Sequence, residues 1–205
     1  MENYKKNLKL LCKNHVYSSE MEHDACGVGL IASTEGKKSR TVVEYGIEAL
    51  KAVWHRGAVD ADGKTGDGAG IHLEIPKDFF IEKIEVTGHD YDNSEICVGM
   101  IFLPRNDYSS QESCKTIVES ELTKNDFSIY GWRQVPVNPK VLGEKAFQTM
   151  PEIIQVLFKP YNSELINKDL ERKIYETRRK IENEAFKKSL NNFYICSLSS
   201  KSIIY

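Results

Sequence analysis

The sequence has no long apolar run, and nothing in it approaches the roughly 18 consecutive apolar residues that mark a membrane-spanning helix. It has no surplus of one charge either. Twenty-eight Lys and Arg against 30 Asp and Glu leave a net charge of -2. No basic stripe tracks a phosphate backbone, so the chain is not expected to bind nucleic acid. Cysteine is sparse and unpaired: Cys12, Cys26, Cys97, Cys114 and Cys196 are odd in number, widely scattered and without a CxxC spacing. That argues against a disulfide scaffold and a zinc site, and fits a reducing cytosol. A secretory signal is missing as well, because the apolar patch at 8–12 is broken by Lys9. Glu20, Glu22 and Asp24 fit poorly with an organelle transit peptide. What is present is ordinary for a cytoplasmic globular protein: 205 residues, 40% hydrophobic and 28% charged. That length suits one domain, or one and a part, with a real core.

Residues 1–25 are rich in Lys, Asn, Ser and Glu with scattered apolar positions, and read as a short leader or pro-segment. Composition alone equally suits a disordered tail. Beyond them strands and helices alternate. Residues 28–32 read as a buried strand, and 40–54 as a helix with the stripe Val43, Ile47, Leu50, Trp54. Residues 69–75 alternate as a strand, and Pro76 opens a short helix around Phe79, Phe80 and Ile84. The run 96–103 is apolar on both faces, the mark of a central strand. Residues 111–122 suit a helix with Cys114, Ile117, Val118 and Leu122 on one side. Residues 127–135 alternate through Phe127, Ile129, Gly131, Arg133 and Val135, and 152–158 form another strand. Ser163 is placed to cap a charged helix reaching about residue 188, with Ile166, Leu170, Ile174 and Ile181 as its stripe. The runs 193–198 and 203–205 flank a polar turn and look like a hairpin whose second strand has barely begun. A domain seldom stops so soon into a strand, so this one is expected to continue past Tyr205.

Two places carry chemistry. Cys26 stands at the head of Cys26-Gly27-Val28-Gly29-Leu30-Ile31-Ala32. If the chain is cut after Ala25, one residue carries both a thiol and a free α-amine, a nucleophile with its own base. Such an amine titrates at about 7.7–8.0 and is partly neutral at physiological pH. While Ala25 is attached the nitrogen belongs to a peptide bond and cannot take a proton. The plainer alternative is a packed thiol at a strand edge.

The second place is the loop 54–70, where Gly57, Gly63, Gly66, Gly68 and Gly70 mix with Arg56, Asp60, Asp62 and Asp67. Such glycine density lets backbone approach a ligand and exposes amides that hold anions. It is not a phosphate loop, since Gly57 is one residue too far from Gly63-Lys64-Thr65 and a strand follows. Nor is it an EF-hand, because the closing Glu and the flanking helix pair are missing. Asp60 and Asp62 taken singly read as a solvated Gly/Asp turn. Arg56 directly follows an apolar helix and is suited to bidentate binding of a carboxylate.

The remaining candidates have bland readings. Cys97, Cys196 and Cys114 read as inert core thiols, and Cys12 has no assigned role. His55, His72 and His89 have no metal-ligand spacing. Tyr130 and Trp132 read as strand aromatics, and Arg178-Arg179-Lys180 as a solvated helix face.

Cys26-Gly27-Val28-Gly29, Ala49-Leu50-Lys51-Ala52-Val53-Trp54-His55-Arg56-Gly57-Ala58 and Thr65-Gly66-Asp67-Gly68-Ala69-Gly70-Ile71 resemble class II glutamine amidotransferases. The similarity is to the amidotransferase domain that opens the large subunit of glutamate synthase. Phe102-Leu103-Pro104, Tyr130-Gly131-Trp132-Arg133-Gln134-Val135-Pro136-Val137, Arg178-Arg179 and Phe193-Tyr194-Ile195-Cys196-Ser197-Leu198-Ser199 extend it in the same order. The resemblance implies an α+β fold of the N-terminal-nucleophile (Ntn) hydrolase type, a four-layer αββα sandwich with antiparallel sheets. It implies a leader at 1–25, an amidotransferase domain from 26 to 205 that is incomplete, and Cys26 as the mature N-terminal nucleophile. Arg56 and Gly57 would contact glutamine, and Gly66, Asp67 and Gly68 would shape the pocket loop. Ammonia released from glutamine would pass to a synthase region of the same longer chain, which makes glutamate from 2-oxoglutarate with FMN and an iron–sulfur cluster. A small electron-donating subunit is the further partner, and no cofactor or metal is expected on these 205 residues themselves.

The sequence departs from the family pattern in one respect. It has neither the His-Asn-Gly-Glu-type motif that supplies the oxyanion hole nor the Arg-Tyr/Phe-Ser-Thr-type motif that grips substrate. Losing a single oxyanion donor costs about 10²–10³ in rate, so the chain by itself is expected to be inactive. The competing class is a non-catalytic binding or scaffold module in which the Gly/Asp loop holds a ligand and Cys26 merely packs.

Overall fold

The computed structural model describes residues 2–14, 27–53, 59–66, 68–162 and 164–205. Its organising strand is β2 (Cys97–Leu103), apolar along its length and buried everywhere except at Phe102. It pairs antiparallel on both sides, with β4 (Glu152–Pro160) and with β5 (Tyr194–Ser199). Adding β3 (Phe127–Gln134) at the other edge of β4 gives a four-stranded sheet of order β3-β4-β2-β5.

Both faces of this sheet are covered, which is why β2 tolerates apolar residues at successive positions. On one face Cys97, Ile101 and Leu103 pack against α4 (Tyr108–Lys124) and α6 (Asn167–Lys187). On the other, Val98, Met100 and Leu157 meet Phe80 and Ile84 of α3 (Lys77–Val86), together with Ile75 and Ile203. Ile203 belongs to a second, two-stranded sheet in which β1 (His72–Glu74) pairs antiparallel with β6 (Ser202–Ile204). Gln155 of β4 is fully buried on the side of the second sheet. It accepts from Arg133 Nη1 at 2.7 Å and donates to Tyr205 Oη at 3.1 Å. Two smaller helices matter below: α2 (Arg40–Ala52), which starts at the Ser39 cap, and α5 (Glu144–Thr149). In the segment read as a leader, Glu2–Lys13 forms a helix, α1. No helix among the described residues is long and apolar enough to cross a membrane.

Several sequence expectations are corrected. Residues 28–32 do not form a strand, and Val28 and Leu30 are 90% and 89% exposed. Apolar spacing marks a surface that wants cover, but only a paired neighbour makes it a strand, and none of the described strands pairs with it. The closing hairpin is not one, because β6 pairs with β1 rather than β5. The turn is diverted by Glu171 of α6, which accepts from Ser200 N and Oγ at 2.7 Å and from Ser199 Oγ at 2.9 Å. The long helix starts at Asn167 with Ile166 at its cap and no side-chain cap bond, so the cap expected of Ser163 is not made there; Ser163 itself lies outside the described residues. Thr177 fills the buried stripe between Ile174 and Ile181.

The alternation expected across 127–135 breaks at a bulge between Ile129 and Gly131. Phe127, Ile129 and Trp132 pack on the helix side, while Tyr130 and Val135 face the second sheet. Gly131 has φ 149, and a Cβ there would lie 3.0 Å from Thr87 Cγ2. Arg178 is no solvated charge: its Nη2 donates to Ile195 O at 2.7 Å and its Nε to Glu182 at 2.8 Å.

Candidate active site

Of the six residues singled out for the site, Gly66 and Gly68 are described, while Cys26, Arg56, Gly57 and Asp67 lie outside the described residues. The structure therefore shows the scaffold on which the loop sits. Helix α2 ends where Val53 N donates to Ala49 O at 3.3 Å. Further along the chain, Val59 forms an antiparallel bridge with Gly66.

The bridge closes a tight turn. Asp60 N donates to Thr65 O at 2.7 Å, and Gly63, at φ 67, donates to Asp60 O at 2.9 Å. Asp62 is its hub. It accepts from Lys64 N at 2.9 Å, from Thr65 N at 2.7 Å and from Thr65 Oγ1 at 2.5 Å. These donors, the Thr65 hydroxyl first, hold its carboxyl well below the usual carboxylate range. The carboxylate is spent on shaping the turn, as the plain reading of Asp60 and Asp62 has it.

The two glycines differ in surroundings. Gly66 is fixed by its bridge, and among the described residues none comes within 4 Å of the Cβ position of Gly68. The far end of the run is pinned: Ile71 and Tyr205 exchange backbone hydrogen bonds at 2.7 and 2.9 Å. A Cβ on Gly70 would stand 2.9 Å from Tyr205 O, so glycine there permits the close approach to β6.

Sequence reasoning missed the partners of this turn. Glu144 N donates to Asp62 Oδ2 at 3.0 Å across 82 residues, and Lys145 pairs with Asp60 across 85. It missed Gln155 too, although a lone amide inside an apolar strand was a legible sign of a buried hydrogen-bond hub. At the other end of α5 an open groove of about 800 Å³ runs between Phe102, Arg105, Gln148, Met150, Asn192 and Tyr194, and neither Gly66 nor Gly68, the two described candidates, lines it. Burial raises the thiols of Cys97, Cys114 and Cys196 above the ordinary range, in keeping with inert thiols. Among the described residues no three His, Cys, Asp or Glu side chains gather as metal ligands. An iron–sulfur cluster finds no donor set among these described residues.

Stacked antiparallel sheets, helices on the outer face and a glycine-rich loop beside the second sheet are consistent with an Ntn-type amidotransferase fold. The family model described as "Glutamine amidotransferases class-II" matches residues 26–205, and the chain belongs to that family. Its relatives include "Glutamate synthase [NADPH] large chain" of Azospirillum brasilense, 51% identical over 202 residues, covering 98% of this chain and 13% of that one. "Ferredoxin-dependent glutamate synthase 1, chloroplastic/mitochondrial" of Arabidopsis thaliana is 39% identical over 186 residues, covering 90% of this chain and 11% of that one. "Ferredoxin-dependent glutamate synthase" of Pyropia yezoensis is 38% identical over 202 residues, 96% of this chain and 13% of that one. The chain thus spans about an eighth of the length of these relatives.

Proposed function

We propose that this chain is the glutamine-hydrolysing part of a glutamate synthase, with Cys26 as its N-terminal nucleophile. The observation that carries the proposal is that the family match begins at Cys26 itself, with residues 1–25 lying before it as a leader to be removed. Residues 26–205 are then an amidotransferase domain.

Once Ala25 is gone, the freed α-amine of Cys26 takes the thiol proton and the thiolate attacks the side-chain amide carbon of glutamine. The tetrahedral intermediate collapses with that proton passed to the leaving nitrogen, giving ammonia and a glutamyl thioester. Water then attacks the thioester, regenerating the thiol and releasing glutamate. Arg56 and Gly57 contact the substrate, with the guanidinium suited to its carboxylate, and Gly66, Asp67 and Gly68 form the pocket loop. Ammonia would pass to a synthase region in the same longer, cytoplasmic chain, where FMN and an iron–sulfur cluster, fed by a small electron-donating subunit, would supply the reducing chemistry for making glutamate from 2-oxoglutarate.

The exposed apolar segment around Val28 and Leu30 favours a second reading, a binding module whose cysteine does no chemistry. Intact mass together with exposure to an electrophilic glutamine analogue separates the two. Loss of residues 1–25 and an adduct on Cys26 are expected. A retained Met1 with no adduct on Cys26 would overturn the amidotransferase reading in favour of the module.

A further inference from the structure

We infer that Gly143 and Lys145, at the start of α5, are positioning residues for the glutamine pocket, holding the 60–66 turn in its receptive shape. This rests on the proposed role of that loop as pocket wall.

Gly143 has φ -71 and ψ 164, a conformation open to any residue, so its own backbone does not call for glycine. Its neighbours do. A Cβ at 143 would lie 2.1 Å from Thr65 Oγ1, 2.4 Å from Asp62 Oδ2 and 2.5 Å from Thr65 N. The last of these is main chain and cannot swing aside, so turn and helix touch only because position 143 has no side chain. Two further contacts seat the turn from the same side: Glu144 N on Asp62, and Lys145 Nζ on Asp60.

The contact acts on both arms of the loop. The Val59–Gly66 bridge joins them at its base; one arm leads back in sequence to Gly57 and Arg56, the other forward to Asp67 and Gly68. The Ile71–Tyr205 pair fixes the forward arm at its far end, and among the described residues outside the loop only Glu144 and Lys145 bond to its tip. Gly143 and Lys145 both touch the turn itself, at Asp60, Asp62 and Thr65, and so act through the loop.

The test uses the processed chain and the glutamine concentration that half-protects Cys26 from alkylation by iodoacetamide. Gly143→Ala is expected to raise that concentration about tenfold while leaving the unprotected alkylation rate within about twofold, because displacement of the wall weakens substrate capture more than thiol reactivity. Lys145→Ala should raise it about threefold and Lys145→Arg should restore it, as befits a part-exposed ion pair. Amide exchange at Lys64 and Thr65 should quicken about tenfold or more in Gly143→Ala, with β2 amides unchanged.

Unchanged half-protection in Gly143→Ala overturns the inference, and so does exchange that quickens equally through β2. If glutamine never protects the parent Cys26, glutamine capture by these 205 residues fails instead, since they have no Arg-Tyr/Phe-Ser-Thr-type motif to grip it. Exchange at 64–65 then still decides the clamp: quickened exchange in Gly143→Ala upholds it and unchanged exchange overturns it.

Discussion

Cys97 and Cys114 both lie in the core between the four-stranded sheet and its helices. Burial is the first cause pushing their thiols up, Cys97 well above the ordinary range and Cys114 to about 11. Since the thiolate is the nucleophile, roughly one Cys114 in a thousand is ionised at pH 8, given its value of about 11. Cys12 is exposed. Alkylation at pH 8 followed by peptide mapping should therefore label Cys12 in the native chain and reach Cys97 and Cys114 only in denaturant. Native labelling of Cys114 as fast as Cys12 would show that this core is open. These thiols were legible in the sequence, because apolar neighbours on both sides already state burial. For Gln155 the sign of a hub was legible but its partners were not, since Arg133 and Tyr205 lie 22 and 50 residues away. Gln155→Leu leaves both without that bond inside the structure. Urea unfolding should record a loss of about 1–3 kcal/mol, the typical cost of an orphaned buried polar group.

At the level of elements, legibility followed whether an element explains its own burial. β2 and α4 were read from sequence because period and apolar face are local properties. The partner of β6 was not, because Glu171 of α6 turns the chain at Ser199 and Ser200 from 28 and 29 residues away. Glu171→Ala should loosen that corner, so amides of β6 and of its partner β1 should exchange faster than those of β2. Equal exchange in all three strands would remove Glu171 as the cause. Asp107 at the cap of α4 gives a pH-dependent case. Its side chain accepts from Ser110 Oγ at 2.6 Å and Ser110 N at 3.0 Å. Those bonds, the hydroxyl first, hold its carboxyl below the ordinary range. A carboxyl depressed on folding stabilises the native state above its unfolded pKa of about 3.9, and the contribution fades as pH falls through the folded value. The urea midpoint of Asp107→Asn should thus trail the parent at pH 7 and converge with it in strong acid. A gap that persists undiminished there would mean that the charge is not what caps the helix.

For the molecule as a whole, the Gly/Asp turn was recognisable from sequence, but its seat on α5 was not, because glycine at 143 carries meaning only once Thr65 is known to face it. On the proposed amidotransferase reading, the same dependence on distant parts governs activity. Removing residues 1–25 would supply a base for Cys26, yet these 205 residues contain no His-Asn-Gly-Glu-type motif to stabilise the tetrahedral intermediate. The two requirements separate experimentally, because one sets the protonation of the nucleophile and the other the barrier of the chemical step. The processed chain should react once with an electrophilic glutamine analogue, and its rate should rise with pH through about 7.7–8.0, where an α-amine loses its proton. The unprocessed chain should instead follow an ordinary thiol at about 8.5. Steady glutamine turnover should stay about 10²–10³ below that of a chain with an Asn-Gly donor pair, the typical cost of a lost oxyanion donor. Labelling measures nucleophile and base alone, whereas turnover also needs the oxyanion to be held. Cys26-dependent turnover by these 205 residues at the rate of the longer relatives would mean that the donors come from within them, and the loop 60–68 would be the first place to look.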